Sequence, residues 1–353
     1  MPIDDSLGNM AALDRWRYEI GLVYEMEKEK APRPSLPSLR KSPDRPVPNL
    51  YLPIPGLKKP VSRMVMGTTL EGTDVPWAHA FALYDYFFEL GGNTFDTAYI
   101  YGSGLGERTL GEWVRQRGIR EKVNLIVKGA HTPHCDPKNL VAQFLESLDR
   151  LQVDHADIYM LHRDNLDIPV GEFVDVLNEQ VRAGRIGIFG GSNWSLERID
   201  EANEYARKKG LQGFGTVSNQ FSLARMVDPV WWGCIRSSDP ASRTWFEKTG
   251  IPLFAWSSQS RGFFIRGSRD YLADEELSRC WYSDDNFERL IRVKELAHKK
   301  NTEPVHIAAA YVLHQPFPVF ALIGPRKLSE LASCFKAFDV SLSPDELNWL
   351  NLD

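Results

Sequence analysis

The chain has 353 residues, 43% of them hydrophobic and 25% charged, an ordinary globular composition with apolar material for one large domain or two medium ones. A formal net charge of −5 leaves no basic footprint for nucleic acid or an anionic membrane surface. No apolar run approaches the roughly 20 residues of a membrane span, and the N-terminus lacks the charged-then-apolar order of a signal peptide, so a cytoplasmic protein is expected.

Cys135, Cys234, Cys280 and Cys334 are scattered without a CxxC, which reads as reduced thiols. His131, His134 and Cys135 have spacings that a zinc loop uses, but no second ligand pair follows, and no metal is expected.

Residues 1–60 differ from the rest. An amphipathic helix is expected over 13–30, with Leu13, Trp16, Ile20, Val23 and Tyr24 on one face and a charged run at its end. Nine prolines then fall between Pro32 and Pro60; such a segment runs extended over a surface, as a packing arm or linker in preference to a PxxP recognition motif. The arm is free to dock on its own domain or on a second subunit, which would make an oligomer.

From Val61 the texture becomes rhythmic. A strand over 61–66 closes on Gly67-Thr68, and a helix over 76–90 stops at Gly91-Gly92. The next strand opens at Asn93 and ends on the carboxylate of Asp96, with Tyr101 in the loop five residues later. A helix over 107–116 leads to a strand over 123–127 that ends on Lys128. Then come a helix over 137–151, a strand over 156–161 ending on His162-Arg163-Asp164, a helix over 170–183, and a strand over 186–189 leading to Gly190-Gly191-Ser192-Asn193. A helix over 196–209 is followed by a strand over 215–218 that reaches Asn219-Gln220. A helix lies within 229–249, and a strand over 251–255 reaches Trp256-Ser257-Ser258-Gln259. After a polar, aromatic-bearing stretch over 266–285, helices are expected over 286–300 and 304–314, a strand over 319–323 closed by Gly324-Pro325-Arg326, and helices over 327–338 and 344–350.

Eight short apolar strands alternating with helices predict an α/β chain whose residues 61–353 form a (β/α)8 TIM barrel behind the proline-rich extension. A doubly wound sheet is the alternative. It calls for a phosphate fingerprint after its first strand, yet Gly67 opens no G-x-G-x-x-G, Gly102, Gly104 and Gly106 are wrongly spaced, and no G-x-x-x-x-G-K-[ST] occurs.

In a parallel barrel every strand's carboxyl end faces one mouth, so Asp96, Lys128, His162, Ser192, Asn193, Gln220 and Trp256 would converge, with Tyr101 reaching in from its loop. Singly each has a bland reading: an Asx turn for Asp96, a surface lysine, a satisfied core histidine, a loop aromatic. Together their chemistry is coherent. A phenol is a weak acid at neutral pH unless an ammonium stabilises its phenolate, and Lys128 supplies one. A lysine at the floor of a cleft keeps its proton only beside an opposite charge, which Asp96 supplies. His162 can donate to the oxygen that Tyr101 protonates, so the pair would stabilise negative charge developing on a carbonyl oxygen.

Asp96-Thr97-Ala98-x-x-Tyr101-Gly102, Val127-Lys128-Gly129, Leu161-His162-Arg163, Gly191-Ser192-Asn193, Asn219-Gln220 and Ile323-Gly324-Pro325-Arg326 resemble, in order and on the corresponding strands, the signatures of the aldo-keto reductase superfamily, its short-loop bacterial-type branch most of all. The resemblance runs from about Val61 to the C-terminus. It implies NAD(P)H-dependent reduction of an aldehyde or ketone by direct hydride transfer, with Asp96, Tyr101, Lys128 and His162 as the catalytic tetrad and Tyr101 as general acid. It places Gly67, Thr68 and Asp96 in the cofactor groove, Ser192, Asn193 and Gln220 at the carboxamide, Trp256 on the nicotinamide ring, Ser257, Gln259 and Arg261 at the pyrophosphate, and Gly324, Arg326, Lys327 and Glu330 at the adenosine end. A guanidinium suits a 2′-phosphate, whereas Glu330 would repel one; NADPH is expected, with NADH the other candidate. The chain departs from the family's Ser-Glu-x-x-Leu-Gly in reading Gly106-Glu107-Arg108-x-Leu110-Gly111, and it has Glu330 and Cys334 where relatives carry other adenosine contacts.

Trp194, Trp231, Trp232 and Trp281 are candidate walls of the substrate site, and His131, Arg163, Asp164 and Arg225 candidate polar contacts. Of these, His131, Arg163 and Trp194 are placed nearest the small-molecule carbonyl substrate. Aromatic walls with hydrogen-bonding groups would suit a sugar-derived carbonyl compound. The competing reading is a regulatory subunit that senses a nicotinamide cofactor and acts through the N-terminal arm; a barrel lyase or hydrolase would want a metal or paired carboxylates at the mouth.

Overall fold

The computed structural model describes residues 3–22, 47, 49–69 and 77–352, and the backbone divides into two units, Met1–Lys41 and Ser42–Asp353. In the first, helix α1 (Ile3–Glu19) carries intrahelical ion pairs Arg15–Glu19 at 3.3 Å and Arg17–Asp14 at 3.2 Å. It lies ten residues earlier than the periodicity suggested. Gly21 stops it, with φ 68 and bonds from the Gly21 and Leu22 amides back to the Tyr18 and Arg17 carbonyls, a left-handed C-terminal cap. Leu13 and Trp16 are on the helix and more than half exposed. Val23, Tyr24, the charged run to Lys30 and most of the proline-rich arm lie outside the described residues.

The second unit begins with an antiparallel pair, β1 (Tyr51–Leu52) and β2 (Val61–Ser62). Eight parallel strands then close a barrel: β3 (Met64–Gly67), β4 (Thr94–Ala98), β5 (Asn124–Gly129), β6 (Ala156–Leu161), β7 (Ile186–Ser192), β8 (Thr216–Ser218), β9 (Leu253–Ala255) and β10 (Val319–Ile323), which pairs back onto β3. The run over 61–66, expected as one strand, breaks at Arg63. Its first half belongs to the hairpin and its second half to the barrel.

Helices α2 (Trp77–Glu89), α3 (Leu105–Arg117), α4 (Pro137–Leu151), α5 (Val170–Arg182), α6 (Leu196–Lys209), α7 (Pro240–Thr249) and, after β9, α8 (Phe263–Arg266), α9 (Glu275–Trp281), α10 (Asp284–Lys299) and α11 (Pro304–Leu313) separate the strands, and α12 (Leu328–Phe335) and α13 (Pro344–Asn351) finish the chain. Their starts are written in capping chemistry. The side chains of Asp136, Ser195, Asp239, Asp274, Ser283 and Ser343 each accept the backbone N–H three residues on. Asp239-Pro240 explains why the helix expected somewhere within 229–249 begins at 240, and Asp274 starts α9 inside the stretch read as irregular. Among the described residues, no helix is long and apolar enough to cross a membrane.

Two apolar clusters fix the phase of every strand. Phe95, Val127, Tyr159, Leu161, Phe189 and Val217 point outward and pack with the helices, where Phe95 meets Phe87 at 5.2 Å and Trp113 at 4.9 Å between ring centroids. Val65, Ile126, Ile158, Met160, Ile188, Phe254, Phe320 and Leu322 fill the barrel, joined by Ile54 and Val61 of the hairpin segment. Val61 precedes β3, so the hairpin closes the amino-terminal end of the barrel. At that end Asp157, opening β6, holds Lys59 at 2.7 Å and Arg120 at 2.9 Å.

Since successive residues of a strand face opposite ways, the inward row continues past the apolar filling. Ile126 is followed by Lys128, Ile158 and Met160 by His162, Ile188 by Gly190 and Ser192, Phe254 by Trp256, and Leu322 by Gly324. The top of the core therefore changes from apolar to polar around one ring, at the carboxyl ends of the strands.

Candidate active site

Asp96 stands on the inward face of β4 and Lys128 on that of β5. The register sets Asp96 opposite Ile126 and Ala98 opposite Lys128, so the lysine reaches back across one step, and its Nζ lies 2.7 and 2.5 Å from the two carboxylate oxygens. Neither side chain is more than 4% exposed. Burial pushes the Asp96 carboxyl above its usual range against the pull of Lys128. Burial would drag the Lys128 ammonium down, but Asp96 and the neighbouring Tyr101 outweigh it and hold the group above its ordinary value, so the lysine stays charged.

Tyr101 opens a turn (Tyr101–Gly104) in which Gly102, Ser103 and Gly104 all have positive φ, 54, 54 and 89. That reversal directs the phenol back over the rim. The Lys128 Nζ lies 5.4 Å from the Tyr101 ring centroid, and the His162 ring meets Tyr101 edge-on at 5.8 Å. Burial, with the charges of Lys128 and Arg163, holds the His162 imidazole well below its ordinary value. The ring is therefore neutral at pH 7, and its Nδ1 is buried without a partner among the described residues. The four residues singled out as a tetrad thus meet at one place.

The cofactor candidates occupy the adjoining rim. Ser192 and Asn193 are buried; Asn193 has φ 57, donates to Ser192 Oγ at 3.2 Å and accepts the Ile235 amide at 3.2 Å. Gln220 is wholly buried. Its Nε2 donates to Ser222 Oγ at 2.7 Å, while its Oε1 has no partner among the described residues. A carboxamide N–H is the kind of donor that such an orphaned acceptor lacks. Trp256, bridged to Gln220, is half-buried, and its Nε1 too is unpartnered among the described residues.

Next, Ser257, Ser260, Arg261 and Gly262 all have positive φ (49, 51, 49 and 89), three of them non-glycine residues in a conformation that side chains resist. The strain buys a tightly folded backbone loop, pinned to β10 by Ser258 Oγ donating to the Leu322 carbonyl at 2.7 Å. Gln259 accepts from the buried Cys334 thiol, which burial pushes up to about 12, and Arg261 pairs with Glu276.

At the far end, Gly324, Arg326, Lys327 and Glu330 are exposed. The Glu330 carboxylate accepts the Arg326 backbone N–H at 2.7 Å. It ties α12 back to the loop that precedes it, a role that its reading as an opposing charge did not foresee. Gly67 and Thr68 lie at the end of β3, with the Thr68 amide donating to the Asp96 carbonyl at 2.9 Å. A Cβ on Gly67 would sit 3.1 Å from the Ile323 carbonyl.

The substrate candidates divide. His131 is half-buried and meets His162 edge-on at 5.0 Å. Arg163 is buried behind the site, donating to the His162 carbonyl at 2.9 Å. Trp194 is entirely buried, with Nε1 donating to the Arg163 carbonyl at 3.0 Å and its ring packed on Phe173 and Phe214; it supports the rim from outside and presents no surface to the mouth. Trp281 is likewise buried. Asp164 pairs with Arg198 at 3.0 Å and Arg225 donates to Asn351 at 2.7 Å. Trp231 and Trp232 remain: Trp232 is largely exposed, and Trp231 is about half exposed, with its ring 6.0 Å from Trp256 and 5.3 Å from the Arg261 guanidinium.

Sequence reasoning missed the ionic cluster behind the Tyr101 loop. Glu107, wholly buried, and Arg150 on α4 pair at 3.0 Å, and Arg150 also holds Glu146 at 2.6 Å. The signal was present: Glu146 and Arg150 are four apart on a predicted helix, and Glu107 stands in a motif already singled out.

Comparison with known proteins extends the geometry. The sequence profile of the Aldo/keto reductase family matches residues 63–351. An oxidoreductase of Bacillus subtilis, YrpG, is 28% identical over 318 residues, covering 85% of this chain and 94% of its own. Norsolorinic acid reductase of Aspergillus flavus is 29% identical over 289 residues, 76% of this chain and 70% of its own. Among solved structures, an aldo-keto reductase from Klebsiella pneumoniae in complex with NADPH superposes with a TM-score of 0.65 at 23% identity, over 83% of this chain and 91% of that one.

Proposed function

The chain belongs to the aldo/keto reductase family, the nicotinamide-dependent oxidoreductases, and on that premise we propose that it reduces an aryl aldehyde or ketone to the alcohol with NADPH, using Tyr101 as the general acid. The observation that carries this reading is the meeting of the Lys128 ammonium, held by Asp96, with the Tyr101 phenol and a neutral His162 at the barrel mouth.

The bound cofactor supplies the hydride; the chain supplies the proton and the field. Tyr101 gives its phenolic proton to the carbonyl oxygen, and the phenolate left behind is stabilised by Lys128, whose charge Asp96 keeps in a site otherwise hostile to it. The neutral imidazole of His162 donates an N–H to the same oxygen without adding a charge that would compete with the lysine. Gln220 Oε1, unpartnered among the described residues, would take the carboxamide N–H of the cofactor, Ser192 and Asn193 would orient its oxygen, and Trp256 would flank the ring. Arg326 and Lys327 offer two cations to a 2′-phosphate, and Glu330 opposes them less than its charge suggests because its carboxylate is turned onto a backbone amide.

An aryl substrate is favoured over a sugar-derived one. Three of the four polar candidates for recognising hydroxyls are committed elsewhere, Asp164 to Arg198, Arg225 to Asn351 and Arg163 to the His162 carbonyl, which leaves His131 beside His162, whereas the Trp231–Trp256 pair offers an open aromatic wall. Purified protein mixed with NADPH and a series of aldehydes tests this. Absorbance of the reduced nicotinamide should fall with benzaldehyde-type substrates, more slowly with aldoses, and the Tyr101→Phe variant should lose roughly 100-fold or more of that rate. Full activity in Tyr101→Phe would sink the assignment of the acid, and a preference for aldoses would sink the substrate class.

A further inference from the structure

We infer that Arg150 is a positioning residue for Tyr101, the post around which the loop carrying the phenol is wrapped. The inference rests on the reductase reading above for its kinetic consequence, and on packing alone for its structural one.

Tyr101 has no strand of its own. It sits between the last residue bonded to the barrel, Tyr99, whose amide donates to the Lys128 carbonyl at 2.8 Å, and α3, which begins at Leu105. Three successive residues with positive φ lie in between; Gly102 and Gly104 take it freely, but Ser103 between them is a non-glycine residue at φ 54, a conformation that persists only where the surroundings hold it. Central to those surroundings is one guanidinium. Arg150 Nη1 donates to the Tyr99 carbonyl at 3.1 Å, on one side of Tyr101, and to Glu107 Oε2 at 3.0 Å, on the other. Its Cζ lies 4.2 Å from the Tyr99 ring centroid. The Tyr99 hydroxyl donates to Glu146 Oε2 at 2.8 Å, and Glu146 Oε1 accepts Arg150 Nη2 at 2.6 Å. The loop also lies directly on the group: a Cβ on Gly104 would come within 2.7 Å of the Arg150 Cζ.

The Arg150 and Glu107 side chains are 9% and 0% exposed, so the pair is poorly screened and its geometry tightly held. Its members come from α3 and α4, whose approach is fixed independently: Gly111 lies so close to the Leu151 backbone that a Cβ there would stand 2.3 Å from that carbonyl oxygen. A planar fork that bonds the chain on both sides of Tyr101 fixes where the phenol stands over Lys128 and His162. A lysine in its place keeps the charge opposite Glu107 and loses the fork.

The test is Arg150→Lys, made in the wild type and in Tyr101→Phe. In the wild-type background kcat should fall about 10-fold or more, as displaced catalytic groups do, with KM and NADPH affinity changed less than about 2-fold. In the Tyr101→Phe background the same change should cost less than about 2-fold, since residues acting as one unit are not additive. Amide hydrogen exchange supplies a readout free of turnover: residues 99–107 should exchange about 10-fold faster while β5 and β6 are unchanged, the mark of local rather than global opening. Equal losses in both backgrounds, or unchanged exchange in 99–107, overturn the inference. If Arg150→Lys does not fold, Tyr99→Phe, which removes only the hydroxyl bonded to Glu146, should reproduce the faster exchange of 99–107 and the kcat loss in smaller degree, and its failure to do either overturns the inference equally. A wild type inert towards every carbonyl tried would refute the reductase reading and leave the exchange result to decide this one.

Discussion

Lys128 and Asp96 face each other from neighbouring strands of the barrel, with the ammonium 2.7 and 2.5 Å from the two carboxylate oxygens and both side chains almost fully removed from solvent. A pair placed this way is worth little to stability as a pair but much as a dependency, because losing one partner strands a buried charge. Asp96→Asn should therefore lower the unfolding free energy at pH 7 by about 3–5 kcal/mol, read from urea melts, and Lys128→Met added to it should restore most of the loss while leaving the protein inactive. A single variant as stable as the wild type would mean that Lys128 is not held charged by Asp96.

The adenosine end gives a second expectation. Arg326 and Lys327 are exposed, and Glu330 is engaged with the backbone amide of Arg326. Replacing both cations with alanine should raise the KM for NADPH by roughly 10-fold or more, in the range of a lost charge-assisted phosphate contact, while the KM for NADH shifts little. Glu330→Gln should move the same ratio slightly the other way. Equal changes for the two cofactors would show that the 2′-phosphate is held elsewhere.

Stability should also depend on pH through the buried imidazoles. His162 is held well below its ordinary value, and His131, His155 and His306 lie below theirs, in each case chiefly by burial. The unfolded chain takes up these protons near pH 6.5, where the native state binds them less fully, so the unfolded state binds more protons there. The stability they contribute is complete above about pH 6.5 and is lost as pH falls below it, until the native imidazoles protonate in turn. Each contributes a slope of up to about 1.4 kcal/mol per pH unit. His162→Gln should flatten the wild-type dependence between pH 6.5 and 5 by up to that amount, measured as urea midpoints across the range. Superimposable slopes would place His162 in contact with solvent.

The barrel and its mouth were legible because both rest on short-range rules. Alternation along each strand puts Ile126 and Lys128, or Met160 and His162, on the same face, so a polar residue ending an apolar strand announces itself. What escaped was set by tertiary context. Trp194 and Trp281 read like Trp231 in sequence, yet the first two are buried behind the rim and only the third is open; nothing local separates them. Gly21 was a readable stop that lost to a longer apolar pattern, and Asp274 a readable start hidden among polar neighbours. The Glu107–Arg150 pair joins residues 43 apart, beyond any spacing rule, although each half carried a local sign.

The open face of Trp231 leads to a prediction about the substrate. Its ring is about half exposed and is backed by Trp256 at 6.0 Å and by the Arg261 guanidinium at 5.3 Å, so it is held in place beside a residue of the rim with part of its surface open. An aromatic ring stacked there gains about 0.5–1.5 kcal/mol beyond the area it buries, before any reaction begins. Binding energy of that kind is shared by the ground state and the transition state, so removing it raises KM and leaves kcat nearly alone. Trp231→Ala should accordingly raise the KM for benzaldehyde-type substrates roughly 10-fold, with kcat within about 2-fold of wild type. A two-carbon or three-carbon aldehyde, too small to reach the ring, should be turned over unchanged. If the short aldehydes lose as much as the aryl ones, the indole supports the loop and does not meet the substrate; if neither loses, the aryl group lies against another wall.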